Sequence, residues 1–194
     1  MIPHSSYTAF VDTRCVGSGS IEDVAVALAD LSAGPPPLIL DDATGAAVEL
    51  DLRHGPDAAI ADFRRRTLPQ VEPGPARSGR GRPRLGVTAR EVTLLPQHWD
   101  WLAGQPGGAS AALRRLVDAA RRTSAPGDRL RQARDAAYRA MAALAGDLPG
   151  FEEASRALFR PDWGAFDAVL SRWPPDVAAY LSHLSASVRA SAAD

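Results

Sequence analysis

Residues able to do chemistry are few in this chain, and they stand far apart. His4, His54, His98 and His183 include no pair at the spacing of two to five residues that a zinc site takes from a loop or helix, and Cys15 is the only cysteine. A lone thiol between Arg14 and Val16, in a β-friendly stretch, reads as filler rather than as a redox centre. Lysine is absent, so a phosphate loop ending in Gly-Lys-Ser/Thr is excluded, and there is no Gly-x-Ser-x-Gly elbow. Asp41, Asp42, Glu49 and Asp51 could meet around a hairpin and hold Mg²⁺, but turn chemistry and a solvated strand face account for them better. The expectation is a protein with no catalytic residue, no metal and no cofactor.

Arginine offers a second kind of chemistry, the neutralisation of a polyanion. All 22 basic residues are arginine, and they are unevenly placed. Residues 1–60 carry a net charge of minus seven, residues 61–90 plus six, residues 91–122 plus one and residues 123–194 minus one. A nearly neutral chain with one basic belt predicts a local polyanion contact rather than attraction by the whole protein. Trp99, Trp101, Trp163 and Trp173 could stack on bases, although the last two share helix-core spacing with Phe166, Val169 and Leu170, which predicts packing.

The elements that must position these groups follow from periodicity and punctuation. Residues 7–11 and 15–19 are β-friendly and flank a turn at Asp12, Thr13 and Arg14, which predicts a hairpin. Ser20 then precedes Ile21, Val24, Leu28 and Leu31 at helical spacing, with Asp23 as its capping-box partner and Gly34 as the stop. Residues 38–40 and 48–52 flank Asp42, Ala43, Thr44 and Gly45, and Gly45 can take the positive φ of a tight connection. An acidic ββαββ unit over 1–60 results, small enough that it must lean on another part of the chain or on a partner. Residues 61–84 read as a basic, extended linker, and residues 123–194 as a helical unit with runs over 128–144, 151–159, 162–173 and 176–188, N-capped in two places by Asp162 and Asp176. No apolar run approaches the roughly 20 residues that span a bilayer, and the start lacks a basic and apolar leader, so no membrane partner and a cytoplasmic location are expected.

Between linker and C-terminal helices, residues 85–122 present a strand up to Pro96, a short helix, a turn containing Gly107 and Gly108, and a second helix with Leu113, Leu116, Val117 and Ala120 as its apolar stripe. This order resembles the ribbon-helix-helix family of bacterial repressors and antitoxins, in which a strand near a proline is followed by two helices joined by a glycine turn. The resemblance implies a homodimer formed by pairing that strand, with the ribbon entering the DNA major groove. Thr88, Arg90 and Thr93 are then the strand candidates for DNA contact, and Ser110, as helix cap, with Arg114 and Arg115 would clamp a phosphate. Upstream, Arg80, Gly81, Arg82, Pro83 and Arg84 look like the core of an AT-hook, whose arginines lie along a narrow minor groove.

Over its whole length the chain is similar to a bacterial family, domain of unknown function 2239, through residues 81–87, 90–96, 98–102, 105–110 and 145–154. That resemblance implies membership and no particular reaction. The predicted fold is therefore α+β: an N-terminal ββαββ unit, a basic linker, a ribbon-helix-helix-like strand-helix-helix and a helical C-terminal unit. The predicted function is a DNA-binding regulator or antitoxin-like homodimer, with the N-terminal or C-terminal unit receiving a protein partner or small effector. The alternative is a protein-interaction or scaffold module that binds no nucleic acid.

Overall fold

The computed structural model describes residues 6–31, 34–67 and 90–191. It forms two compact units, residues 1–69 with 126–194 and residues 70–125. The architecture is α+β, and each unit is built on its own logic.

The first unit is organised by the alternation of side chains along its sheet. β1 (Tyr7–Val11) pairs antiparallel with β2 (Arg14–Gly19) on one side and with β3 (Leu38–Asp41) on the other, and β4 (Ala47–Val48) closes the order β2-β1-β3-β4. Successive side chains of a strand point to opposite faces. Tyr7, Ala9 and Ile39 pack with Ile21, Val24 and Leu28 of α1 (Ile21–Ala29). Phe10 and Leu40 pack on the opposite side with Ala137, Met141, Leu158, Phe166 and Leu181. With helices on both faces, even the short β1 is buried along nearly its whole length, as a two-sided sheet requires.

Those C-terminal partners come from the end of α4 (Gly108–Ala145) and from α5 (Phe151–Phe159), α6 (Trp163–Leu170) and α7 (Pro175–Ser191). The N-terminal strands and the C-terminal helices thus share one core, where the sequence predicted separate units over 1–60 and 123–194. Gly45 explains how the two approach so closely. Its φ of +64° suits glycine, and a Cβ there would sit 2.0 Å from the carbonyl oxygen of Ala136. Arg139 fixes the same contact by donating to the carbonyl of Thr44 at 2.6 Å.

Local chemistry decides the element ends. The predicted capping box is present: the Ser20 hydroxyl accepts from the Asp23 amide, and the Asp23 carboxylate accepts from the Ser20 amide at 3.0 Å. Asp162 caps α6 as predicted. Asp176 does not cap; it follows Pro175 inside the first turn of α7, and its carboxylate accepts from the Cys15 amide across the unit at 2.9 Å.

Four further expectations are corrected. Strand pairing ends at Val48, because Asp51 turns the chain into a short 3₁₀ turn over Leu52–His54 by accepting from the Arg53 amide. The basic linker does not begin at 61: α2 (Pro56–Thr67) runs through it, with Asp57 in the first turn and Arg64, Arg65 and Arg66 in the last, the arrangement a helix dipole favours. Its Ala59 and Ile60 are buried and Phe63 packs edge-on against Tyr7. In the second unit, residues 90–95 have no regular secondary structure where a strand was predicted over 85–95; a strand meant for a second copy has no pairing partner within one chain. Finally, the helix predicted to end at 122 continues to Ala145 through Pro126 and Gly127. Ala-, Arg- and Leu-rich flanks carry it past the one backbone bond that Pro126 cannot donate.

Candidate functional site

The nine candidates for nucleic-acid contact occupy positions that differ in kind. Arg80, Arg82, Arg84 and Thr88 lie outside the described residues. Arg90 and Thr93 are exposed in the irregular segment that leads into α3 (Pro96–Ala103), and no hydrogen bond joins either to the other candidates among the described residues. Ser110, Arg114 and Arg115 do come together, at the turn between α3 and α4. Ser110 sits inside the helix rather than at its cap, because Gly107 and Gly108, both at positive φ, already turn the chain and start α4 at Gly108. The Arg114 Nε donates to the carbonyl of Ser110 at 3.2 Å, and the Arg115 Nη1 donates to that of Pro106 at 2.9 Å. Each guanidinium carries further N–H donors beyond the one used in that bond.

Part of the basic belt is spent within the protein. Arg64 pairs with Glu22 at 2.6 Å, and Arg65 and Arg66 both pair with Asp62. The hydrogen bonds to Glu22 from its own backbone, Ser20 and Arg64, with the nearby arginine charge, hold its carboxyl below the ordinary value, against partial desolvation.

The second unit carries the most conspicuous surface of the molecule. In its described part, residues 90–125, only Leu102 and Ala112 are buried among the apolar side chains. Ten large apolar side chains are exposed among the described residues, and six of them fall here: Val92, Leu95, Trp99, Trp101, Leu116 and Val117. Trp101 and Val117 are each 54 % exposed. Between α3 and α4 an open apolar recess of about 260 Å³ is lined by Leu94, His98, Trp101, Leu102, Leu113 and Leu116. Of the predicted stripe of α4, Leu116, Val117 and Ala120 are exposed and Leu113 is half-buried beside α3. Trp99 and Trp101 do not join a core, whereas Trp173 does and Trp163 is half-buried against Phe166.

The first unit holds an open cleft that sequence reasoning missed. Thr8 and Ser18 on the sheet, Asp42 at the end of β3, and Asp176, Tyr180 and His183 on α7 line a cavity of about 330 Å³. Tyr180 donates its hydroxyl to Asp42 Oδ1 at 2.9 Å, and burial, followed by the Asp42 charge, pushes the phenol well above its usual range. These residues are up to 175 positions apart in the chain. Thr8, a polar residue within the otherwise apolar run from Tyr7 to Val11, was the only local signal.

The four acidic residues near the β3–β4 turn resolve into turn chemistry, in part. Asp41 accepts from the Ala43 amide at 2.8 Å, Asp42 is tied to Tyr180, and Asp51 binds Arg53. No group of three metal-ligating side chains occurs among the described residues, and no helix among them is long and apolar enough to cross a membrane.

Comparison with known proteins finds no curated protein and no solved structure that matches. The family profile for DUF2239, described as an uncharacterized protein conserved in bacteria, matches residues 6–185, and the chain belongs to that family.

Proposed function

We propose that this protein is a self-associating interaction module, in which α3 and the N-terminal part of α4 pair with the same surface of a second copy. One observation carries this: six of ten exposed large apolar side chains are concentrated between Val92 and Val117. Contiguous apolar surface of this kind marks an interaction site. A second copy suits it because the second unit offers both an open apolar recess and exposed apolar side chains such as Trp99 and Val117, the two kinds of feature a contact between like surfaces can match. A cytoplasmic place of action belongs to the same proposal, since a chain with one cysteine draws no stability from an oxidising compartment.

Sedimentation velocity over a range of concentrations tests it. The wild type should approach twice the 20.5 kDa chain mass, and Leu116→Glu should remain at the chain mass. A wild type that stays monomeric throughout overturns the proposal.

DNA contact is a second reading, favoured by the exposed grouping of Ser110, Arg114 and Arg115 at the start of α4. Dimerisation would present two such groups, each preceded in the chain by Arg80, Arg82 and Arg84. Fluorescence anisotropy with AT-rich duplex DNA, comparing wild type with the Arg80→Ala, Arg82→Ala, Arg84→Ala variant, decides it. Every phosphate that the variant no longer neutralises should flatten the slope of log K against log salt by about 0.9. No binding at low salt leaves the interaction module without nucleic acid.

A further inference from the structure

The recess between α3 and α4 holds a group able to ionise. Among the described residues that line it, Leu94, Trp101, Leu102, Leu113 and Leu116 are apolar, and His98 is the one that can take up a proton. Trp101 and Leu116 also belong to the exposed apolar set on which self-association rests. A contact seated on those two side chains therefore takes His98 out of water with them.

Once water leaves, these surroundings disfavour an imidazolium. His98 stands in the first turn of α3, at the positive end of the helix dipole. No carboxylate lines the recess among the described residues. The charged residues nearest to it on the elements that form it are Arg90 and Glu91 before α3, Asp100 on α3, and Arg114, Arg115 and Asp118 on α4, all exposed and none in the lining. Three are basic and three acidic, so together they offer His98 no net counter-charge. In water a histidine side chain changes charge between about pH 5 and pH 8, whereas burial among apolar side chains favours its neutral form.

We infer that self-association through this recess is switched by protonation of His98, the neutral imidazole entering the contact and the imidazolium being excluded from it. The switch rests on the self-association proposed above and names what regulates it. A two-fold contact brings in His98 from both copies, so two protons must leave when the imidazolium forms pair. The pair is therefore tightest above the ordinary histidine value of about 6.5 and weakens as pH falls through it. Carboxylates, with ordinary values of about 4, remain ionised across that window.

The test is sedimentation velocity of the full chain over a concentration range at about pH 8 and about pH 5.5, at constant ionic strength. One pH unit below the ordinary value costs about tenfold for each proton, so the wild-type dissociation constant should rise about a hundredfold between the two. His98→Gln carries no charge at either pH and should self-associate equally at both. His54→Gln, altered in the first unit, should keep the wild-type response. A second readout does not need the His98 variant to pair: followed by NMR, the His98 imidazole of the wild type should titrate at lower pH in concentrated, paired protein than after dilution to single chains. A wild type that pairs equally well at both pH values overturns this inference and leaves self-association standing. An unmoved NMR midpoint, or a His98→Gln variant that keeps the pH response, does the same. A wild type that stays monomeric at about pH 8 overturns the self-association reading and this inference with it.

Discussion

The two units solve the burial problem in opposite ways. In the first, one sheet is covered on both faces by helices drawn from the two ends of the chain, and its interior includes Phe10, Met141, Phe166 and Trp173. In the second, the described residues bury Leu102 and Ala112 and leave two tryptophans, two leucines and two valines in water. Both contain enough apolar residues to make a core. What differs is how much of that apolar surface the described residues themselves cover, and for the second unit a second copy is the proposed cover.

Truncation should separate the units most sharply. Phe166→Ala in the first unit leaves a cavity in a closed core and should cost about 3–5 kcal/mol in urea unfolding. Trp101→Ala in the second should change the unfolding of the first unit by less than about 0.5 kcal/mol, while weakening association measurably. An equal loss at both positions would erase the distinction. Gly45→Ala is next in size: a positive φ and the 2.0 Å approach to Ala136 predict a loss of more than about 1 kcal/mol, read from the same unfolding curves. Ser20→Ala removes one half of the capping box and should cost about 1 kcal/mol.

The smallest effect is the dependence on pH. The Arg189 hydrogen bond holds Asp167 below its ordinary value, and hydrogen bonds from its own backbone, Ser20 and Arg64 do the same for Glu22. A depressed folded-state pKa contributes stability that is complete above the ordinary carboxylate range of about 4 and disappears as pH falls through and below it. Both carboxylates are well exposed, so the melting temperature should decline only gently below about pH 4.5. In Arg189→Gln the decline attributable to Asp167 should vanish, and an unaltered acid profile would show that the pair contributes nothing.

How much of this was legible depended on how local each signal was. The hairpin from Tyr7, the capping box of Ser20 with Asp23, the turn glycine Gly45 and the α6 cap Asp162 each declare themselves within a few residues, and all are present. Signals were misread where composition competed with placement. Arg64, Arg65 and Arg66 looked like the start of a linker, but helix-end charge and the packing of Ile60 and Phe63 make them the last turn of α2. One helix ending at 122 and another over 128–144 were expected, and long helix-forming flanks join them as α4 through Pro126 and Gly127. The cleft was invisible because its parts meet only in the fold. Asp176 reads as a helix cap until the Cys15 amide is found against it, and nothing near residue 8 announces Tyr180.

Hydrogen exchange of the wild type at low and high protein concentration tests the central contrast most directly. Amides of the first unit, such as those of β1 and α7, should exchange at concentration-independent rates, because their protection is supplied within one chain. Amides of α3 and of residues 113–120 should become markedly more protected as concentration rises and should lose that gain in Leu116→Glu. Concentration-independent protection across both units would contradict the account, since the second unit would then be complete without a second copy.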